Sequence, residues 1–332
     1  MSERPNILVI GTGSIGERHL RCFQSTGRCD VALCEAMAER RDEVAGRYGV
    51  AGYASVEAAL DSEKFDAAVI AVPAQIHIPI ARQLTEAGIH LLLEKPVSTS
   101  LDGVAELHEL VTEKGTQVSV GYMMRSLPAL AEMKAAIDSG RFGRPVELVV
   151  TAGQHFPFYR PAYREIYYAD RAKGGGAIQD CITHHINAGE WLVGPITRLV
   201  ADAEHCVLEG VEVEDTVHVL TRHGSVLGSF SVNQHQPPNE FRLTVICERG
   251  AFRFEFVGQR WYSAGEPDGD WKLEGEHALE RDGYYIGQAD SFLDQIAGRC
   301  GPVCSLADGV QTLKVNLAVM ESAEAGKWIE IS

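Results

Sequence analysis

Residues 6–16 read NILVIGTGSIG, a largely apolar run that leads directly into three glycines spaced as GxGxxG. A helical pattern follows from Ile15 to about Gln24, so the order is strand, glycine loop and helix, as in dinucleotide-binding units. Gly11 permits the tight turn, Gly13 lets a pyrophosphate approach the backbone, and Gly16 lets helix and strand pack closely. The N–H groups at the start of that helix face the phosphates. The loop residues predicted to hold this cofactor are Gly11, Gly13, Ser14, Ile15 and Gly16.

The second predicted strand, residues 31–34, is followed by Glu35, about 20 residues beyond the glycines. An acid at that distance hydrogen-bonds the ribose hydroxyls of the adenosine half, and its charge repels a 2′-phosphate. NAD is therefore the predicted cofactor. Two alternatives stay open. Glu35 also suits the first turn of a helix, and Arg40 or Arg41 is near enough to bind the 2′-phosphate of NADP.

Strands and helices continue to alternate as far as Gly121. Further strands are predicted at 66–72, 89–93 and 117–121, and helices at 78–87 and 101–113. This series predicts an open parallel sheet with helices on both faces, a Rossmann domain of residues 1–122 in an α/β chain. Pro73 and His77 lie in the loop expected over the nicotinamide, and we predict that both contact the cofactor. The alternative role for His77 is only to cap the next helix.

The strand at 89–93 ends in Glu94-Lys95-Pro96. Open α/β sheets bind ligands at the carboxyl ends of their strands, where this motif lies. The proline restricts the backbone after Lys95, so the lysine is directed to a fixed place. An ordinary surface lysine is the competing interpretation. The glycine loop before it and an Asp/His segment after it favour a site, and we predict that Glu94 and Lys95 lie at the cofactor.

The pattern changes after residue 122 to long alternating strands. They are predicted at 146–151, 198–207, 216–222, 226–233, 241–247 and 252–256, with a last strand at 328–331. Helices are predicted at 127–139, 290–297 and 306–323. We therefore assign residues 123–332 to an α+β domain with an open-faced, mostly antiparallel sheet, which binds the substrate and joins subunits.

Residues 174–185 of this second half read GGGAIQDCITHH and open a helix that runs to about Val193. Asp180 and His184 are four residues apart, so they share one face of that helix. A carboxylate and an imidazole on one face can converge on a bound substrate. The alternative is an ordinary helix start, with the acid favoured by the dipole and the histidine packed in the core.

Composition excludes several classes of protein. The chain has 332 residues, is 45% hydrophobic and 23% charged, and carries a formal charge of -16, which opposes binding to nucleic acid. No apolar stretch spans a bilayer and no signal peptide is evident. The eight cysteines contain no CxxC pair, so we expect reduced thiols, a cytoplasmic location and no metal site.

The GTGSIG loop, the Glu94-Lys95-Pro96 motif and the GGG-x₃-D-x₃-H segment ending at His184 together resemble the Gfo/Idh/MocA family of sugar and polyol oxidoreductases. The resemblance covers nearly the whole chain. It implies a Rossmann domain, an open-faced sheet domain, and hydride transfer between NAD(P) and a secondary alcohol or ketone of a sugar, inositol or sugar derivative. Many members have D-x-G-x-H-x-x-D, whereas this chain has Ile182 and Asn187 in place of the glycine and the last acid.

The resemblance also implies catalytic roles for Lys95, Asp180 and His184. His184 accepts the alcohol proton with Asp180 orienting it, and Lys95 stabilises the developing alkoxide. Lys95 as the base is the reverse assignment. Two alternative functions stay open. One is NAD-dependent glycoside cleavage through transient oxidation, and the other is a non-enzymatic dinucleotide sensor.

Two expectations concern surfaces. The loop at 155–164 is rich in aromatic residues and arginine, so it is either a substrate loop or a packing loop. The substrate contacts predicted from this loop and the helix that follows are Arg160, Tyr163, Arg164 and His185. An open-faced sheet leaves one side bare, which predicts a homodimer or homotetramer. Val217, Val219, Phe230 and Val232 lie on that side or on the opposite one.

Overall fold

The glycine loop and its flanking elements belong to a parallel sheet. In the computed structural model, which describes residues 4–278, 280 and 282–332, six strands of the described chain pair in the order β3-β2-β1-β4-β5-β6. The strands are β1 Asn6–Ile10, β2 Asp30–Cys34, β3 Gly52–Tyr53, β4 Ala67–Ile70, β5 His90–Leu93 and β6 Val118–Val120. All neighbouring pairs run parallel. The predicted Rossmann sheet is confirmed.

Helices cover this sheet because their apolar residues recur on one face. They are α1 Ser14–Thr26, α2 Ala38–Tyr48, α3 Val56–Ser62, α4 His77–Glu86 and α5 Val104–Lys114. On one side, Leu20 and Phe23 of α1 pack on the strand residues Ile7 and Val9. Phe292, from much later in the chain, joins the same core and meets the Phe23 ring edge-on at 6.2 Å between centroids.

Contacts divide the chain into two compact units. The first is Met1–Met123 with Glu280–Val310, and the second is Met124–Leu279 with Gln311–Ser332. The predicted division after residue 122 lies beside this boundary. Residues 280–310, predicted to lie in the second domain, group with the first, because the apolar face of the helix at Gly283–Ile296 packs into its core.

A second sheet fills the second unit. Within the described residues it has nine strands in the order β14-β13-β12-β11-β7-β10-β9-β8-β15. The strands are β7 Pro145–Gly153, β8 Arg198–Glu204, β9 Thr216–His223, β10 Val226–Asn233, β11 Glu240–Cys247, β12 Gly250–Glu255, β13 Arg260–Ala264, β14 Lys272–Glu276 and β15 Ile329–Glu330. Only β10 and β7 pair in parallel among these described strands. The mostly antiparallel sheet is confirmed.

The helices from Met124 onward are α6 Pro128–Asp138, α7 Phe156–Tyr159, a π-helix at Ala177–Ile182, α8 Thr183–Val193, α9 Gly283–Ile296 and α10 Leu306–Ala325. In the second unit, α8 packs on the sheet through Gly189, where an added Cβ would lie 2.8 Å from Leu148 and 3.1 Å from Phe230. No helix in the described part of the chain is both long and apolar enough to cross a membrane.

The two faces of the second sheet differ in burial. Val217, Val219, Phe230 and Val232 are buried. Alternation along the strands turns their neighbours to the opposite face, where Leu220 is 54% and Leu227 is 50% exposed. The four residues named in the sequence prediction therefore belong to the core, and the open face carries Leu220 and Leu227.

Candidate active site

The glycine loop has one closely packed side and one open position. A Cβ on Gly16 would lie 1.9 Å from the Gly11 carbonyl oxygen, and one on Gly11 would lie 2.7 Å from the Ala71 oxygen. Gly11 also has φ of 84°, which favours glycine. A Cβ on Gly13 would meet nothing within 4 Å. Backbone contacts therefore exclude side chains at Gly11 and Gly16, while space above Gly13 remains for a ligand.

Helix α1 begins directly after Gly13, which caps it without any side-chain hydrogen bond. Ser14 is exposed and Ile15 is half-buried. The first N–H groups of the helix therefore keep their capacity to bind an anion. These features fit the pyrophosphate of a dinucleotide, and the five loop residues remain the predicted contacts.

The carboxylate of Glu35 lies against the same loop. Its Oε2 accepts from the Thr12 N–H at 2.9 Å and the Thr12 hydroxyl at 3.0 Å, and its Oε1 accepts from the Met37 N–H at 3.0 Å. Burial alone would raise the pKa of Glu35, but these donors hold it below its usual value. Glu35 is therefore charged at neutral pH and can accept from ribose hydroxyls.

The side chain of His77 is enclosed by protein. Its ring is buried, with Nδ1 3.0 Å from the Pro96 carbonyl oxygen and Nε2 2.8 Å from that of Val72. Burial lowers the pKa of His77. The predicted cofactor contact is therefore not supported, because both ring nitrogens lie at protein carbonyls and link the segments after β4 and β5. Pro73 is exposed and precedes a short turn of 3-10 helix, and its contact stays a prediction.

Glu94 is buried within the protein as well, with 6% of its surface exposed. One carboxylate oxygen lies 2.6 Å from His19 Nε2, and the other accepts from the Lys95 N–H at 3.1 Å. Burial would raise the pKa of Glu94, but the His19 hydrogen bond and charge together with Lys95 lower it. Both carboxylate oxygens of Glu94 therefore have partners inside the protein, one of them the backbone of Lys95, and a direct cofactor contact by Glu94 is not supported. The Lys95 side chain is half-buried.

In the second unit, Asp180 lies in the π-helix at Ala177–Ile182. Short π-helical segments are frequent at functional sites. Its Oδ1 accepts from the Tyr167 hydroxyl at 2.6 Å. Glu214 fixes the start of the helix, because its Oε1 accepts from Ile178 N–H at 3.0 Å and its carbonyl from Ala177 N–H at 2.9 Å. The predicted helix is confirmed from Ala177, but its first six residues are π-helical.

The adjacent histidines have different environments. His184 is half-buried, whereas His185 is buried with its ring edge-on to Phe241 at 4.5 Å between centroids. Burial lowers the pKa of His185 to about 4. A substrate contact by His185 is therefore not supported, and a contact by the half-buried His184 stays a prediction.

The arginine and aromatic loop is partly a packing loop. Tyr163 is buried, and its hydroxyl donates to the Glu209 carbonyl at 2.6 Å. Arg164 Nε donates to the same carbonyl at 2.7 Å, and its guanidinium lies 4.9 Å from the Tyr163 ring centroid. A substrate contact by the buried Tyr163 is not supported, whereas Arg164 is exposed and its contact stays a prediction. Arg160 is exposed, and its contact stays a prediction.

Sequence reasoning missed Tyr167 and Glu214. The aromatic-rich segment continues through Tyr167 and Tyr168, which was a usable signal. Glu214 had no such signal, because it meets the helix start from 36 residues away in the chain. Among residues 4–278, 280 and 282–332, no group of three or more His, Cys, Asp or Glu side chains is placed to hold a metal ion.

Comparisons with known proteins cover both units. The family described as an oxidoreductase family with an NAD-binding Rossmann fold matches residues 5–122, and the GFO/IDH/MocA C-terminal domain matches residues 130–253. Inositol 2-dehydrogenase 3 of Saccharopolyspora erythraea is 30% identical over 98% of this chain and 94% of its own length. Inositol 2-dehydrogenase of Streptomyces avermitilis is 30% identical over 76% of this chain and 73% of its own length.

A solved structure of levoglucosan dehydrogenase in complex with NADH is also similar. It superposes with a TM-score of 0.90 at 22% identity, covering 99% of each chain. At that identity the likeness concerns the fold, which it reproduces over both units.

Proposed function

The chain belongs to the GFO/IDH/MocA family of NAD-binding oxidoreductases, and on that premise we propose that it oxidises a secondary alcohol of a cyclic polyol or sugar with NAD. The observation that carries the substrate class is the 30% identity to an inositol 2-dehydrogenase over 98% of the chain. When bound, the nicotinamide supplies the acceptor for a hydride from the carbinol carbon. The open cradle at Gly13 and the charged Glu35 support its binding.

The residues of this chain then handle the proton and the charge on oxygen. We assign His184 as the acceptor of the alcohol proton, because it is half-buried and follows Asp180 on the same helical segment. Asp180 stabilises the imidazolium that results, and Tyr167 holds one of the Asp180 oxygens. Lys95 stabilises the developing alkoxide through its positive charge. Glu94 acts only indirectly, through the Lys95 backbone.

A substrate panel tests this function. Myo-inositol, levoglucosan and other cyclic polyols are incubated with NAD and, in parallel, NADP, and formation of reduced nicotinamide is followed. We expect turnover with at least one cyclic polyol and NAD, and loss of that turnover in Lys95→Ala. No turnover with any cyclic polyol, despite measurable NAD binding, would contradict the substrate class.

We further propose that the open face of the second sheet joins copies of this chain into a homodimer or homotetramer. Leu220 and Leu227 support this proposal, because both are exposed and they lie on the adjacent strands β9 and β10, respectively. Replacing both with glutamate should lower the mass measured by light scattering, from dimer to monomer or from tetramer to a smaller assembly. Leu101→Glu, an exposed leucine of the first unit and not part of this sheet, is the matched control and should leave the mass unchanged.

A further inference from the structure

The guanidinium of Arg40 is held at the glycine loop by contacts within the first unit. Its Nε and Nη2 donate to the Thr12 carbonyl at 3.0 and 2.9 Å, and Nη1 donates to Glu43 Oε2 at 3.1 Å. Nη2 also donates to Glu17 Oε2. Thr12 is the residue whose N–H and hydroxyl bind Glu35. Arg40 and Glu35 therefore bind the same residue beside the predicted ribose site.

Glu17, in the first turn of α1, is central to this arrangement. Its Oε1 accepts from Arg47 Nη1 at 2.5 Å and from the Tyr48 hydroxyl at 2.9 Å. Arg47 Nη2 in turn donates to Glu43 Oε1 at 2.5 Å. Two carboxylates and two guanidiniums thus alternate and cancel in charge. The Glu17 side chain is only 14% exposed, so solvent screens its pairs less than those of a surface acid.

An arginine near the ribose is what accommodates the 2′-phosphate of NADP in Rossmann folds, through charge and bidentate hydrogen bonds. Arg40 is in the right segment, but its three nitrogens are all bound to protein oxygens. A 2′-phosphate would therefore meet the negative charge of Glu35 while the nearby cation is neutralised. Specificity is a difference of two affinities, and both effects act on NADP alone.

We infer that Glu17 is a specificity-determining residue for the cofactor: it retains Arg40 on Thr12 and thereby denies NADP a phosphate-binding cation. The inference rests on the dinucleotide-binding function of this unit. Glu35 supplies repulsion and Glu17 removes attraction, so the two acids act through different partners. A purely structural role for Glu17, joining α1 to α2, would change stability and leave the preference between cofactors unchanged.

Fluorescence titration of NADH and NADPH separates these roles, since binding is measured without turnover. In Glu17→Gln, we expect NADPH to bind roughly fivefold tighter or more, with NADH affinity within about twofold of wild type. Combined with Glu35→Ser, the gain for NADPH should exceed the product of the single effects by at least about threefold, because the sites share Thr12. Adding Arg40→Ala to the double variant should abolish that gain.

Two further variants keep the test decisive. Glu39→Gln, on the exposed side of α2, changes the net charge equally and should leave both affinities unchanged. If Glu17→Gln does not fold, the more exposed Glu43→Gln releases one Arg40 contact and should shift the preference in the same direction. Arg41, which donates to Asp42, is tested by Arg41→Ala in the double variant.

The inference is overturned if Glu17→Gln and Glu43→Gln lower the melting temperature but leave the NADH to NADPH ratio at its wild-type value. It is also overturned if the gain in NADPH affinity survives Arg40→Ala and disappears in Arg41→Ala. Failure of the wild-type protein to bind either dinucleotide would instead contradict the proposed function.

Discussion

Gly13 and Gly16 lie three residues apart in one motif, yet the structure assigns them opposite roles, which a pair of alanine variants separates. In Gly16→Ala, the new Cβ would lie 1.9 Å from the Gly11 carbonyl oxygen, whereas real contacts of this kind stay beyond 3.0 Å. The backbone must therefore move by about 1 Å to make room for the alanine methyl group. Overpacking of this sort lowers the free energy of unfolding by roughly 1–3 kcal/mol, whereas the higher helix propensity of alanine raises it by about 1 kcal/mol. Because the obstructing atom belongs to the backbone and cannot easily move, we expect a net loss of stability near the upper end of this range, about 2 kcal/mol.

In Gly13→Ala, the methyl group enters open space and φ stays at -62°, a conformation that alanine adopts. Stability should fall by about 0.5 kcal/mol or less, as for a weaker N-cap. The methyl occupies the space left for the pyrophosphate, so NADH affinity should fall roughly tenfold or more, about 1.4 kcal/mol.

Urea unfolding without cofactor and NADH titration measure the two effects separately. Gly16→Ala should lower the urea midpoint clearly, and Gly13→Ala should weaken NADH binding at a nearly unchanged midpoint. Wild-type NADH affinity in Gly13→Ala would refute the assignment of the open position to the cofactor. A wild-type midpoint in Gly16→Ala would refute the packing argument.

Four further variants probe three residues proposed for the chemistry and the buried neighbour His185. Lys95→Ala should lower kcat/KM by roughly 10²-fold or more while NADH affinity changes little, since its charge acts on the alkoxide; near wild-type turnover would contradict its assignment. His184→Asn should cause a similar loss of kcat/KM, whereas His185→Leu should keep most activity, and steady-state kinetics with the reversed order would contradict the choice of histidine. Tyr167→Phe removes the hydroxyl donor to Asp180 and should lower kcat more than it raises KM. Folding lowers the pKa of His185 from 6.5 to about 4, so between these two pH values the unfolded chain binds a proton that the folded chain excludes. The free energy of unfolding should therefore fall by roughly 3 kcal/mol as the pH is lowered from 6.5 to 4. Urea midpoints from pH 7 to 4 should therefore fall less steeply in His185→Leu than in wild type, and equal slopes would contradict the burial argument.

The predictable parts of the molecule are those where local geometry dictates the residue type. A left-handed turn at Gly11 and close backbone contact at Gly16 each require glycine, so the spacing of the glycines is enough to reveal the loop. The alternation of strands and helices up to residue 122 likewise follows from periodicity, and the boundaries of the predicted strands differ from the observed ones by at most two residues.

The remainder depends on partners distant in the chain. The His185 ring packs edge-on against Phe241, which lies on another element, and the helix at Asp180 begins where Glu214 caps it. The strands at Arg260–Ala264 and Lys272–Glu276 were not predicted, because glycine, proline and acidic residues between them indicate a loop. Neither hydrophobic pattern nor spacing carries such information.

The reaction that we propose for this protein is hydride transfer between NAD and the carbinol carbon of a cyclic polyol. Its most direct test is to supply a substrate from the panel carrying deuterium at the reacting carbon, with NAD, and to analyse the cofactor and product by mass spectrometry. We predict that deuterium appears at C4 of the nicotinamide and that a ketone accumulates in equal amount. Deuterium that returns to the product, or never leaves the substrate, would contradict the claim.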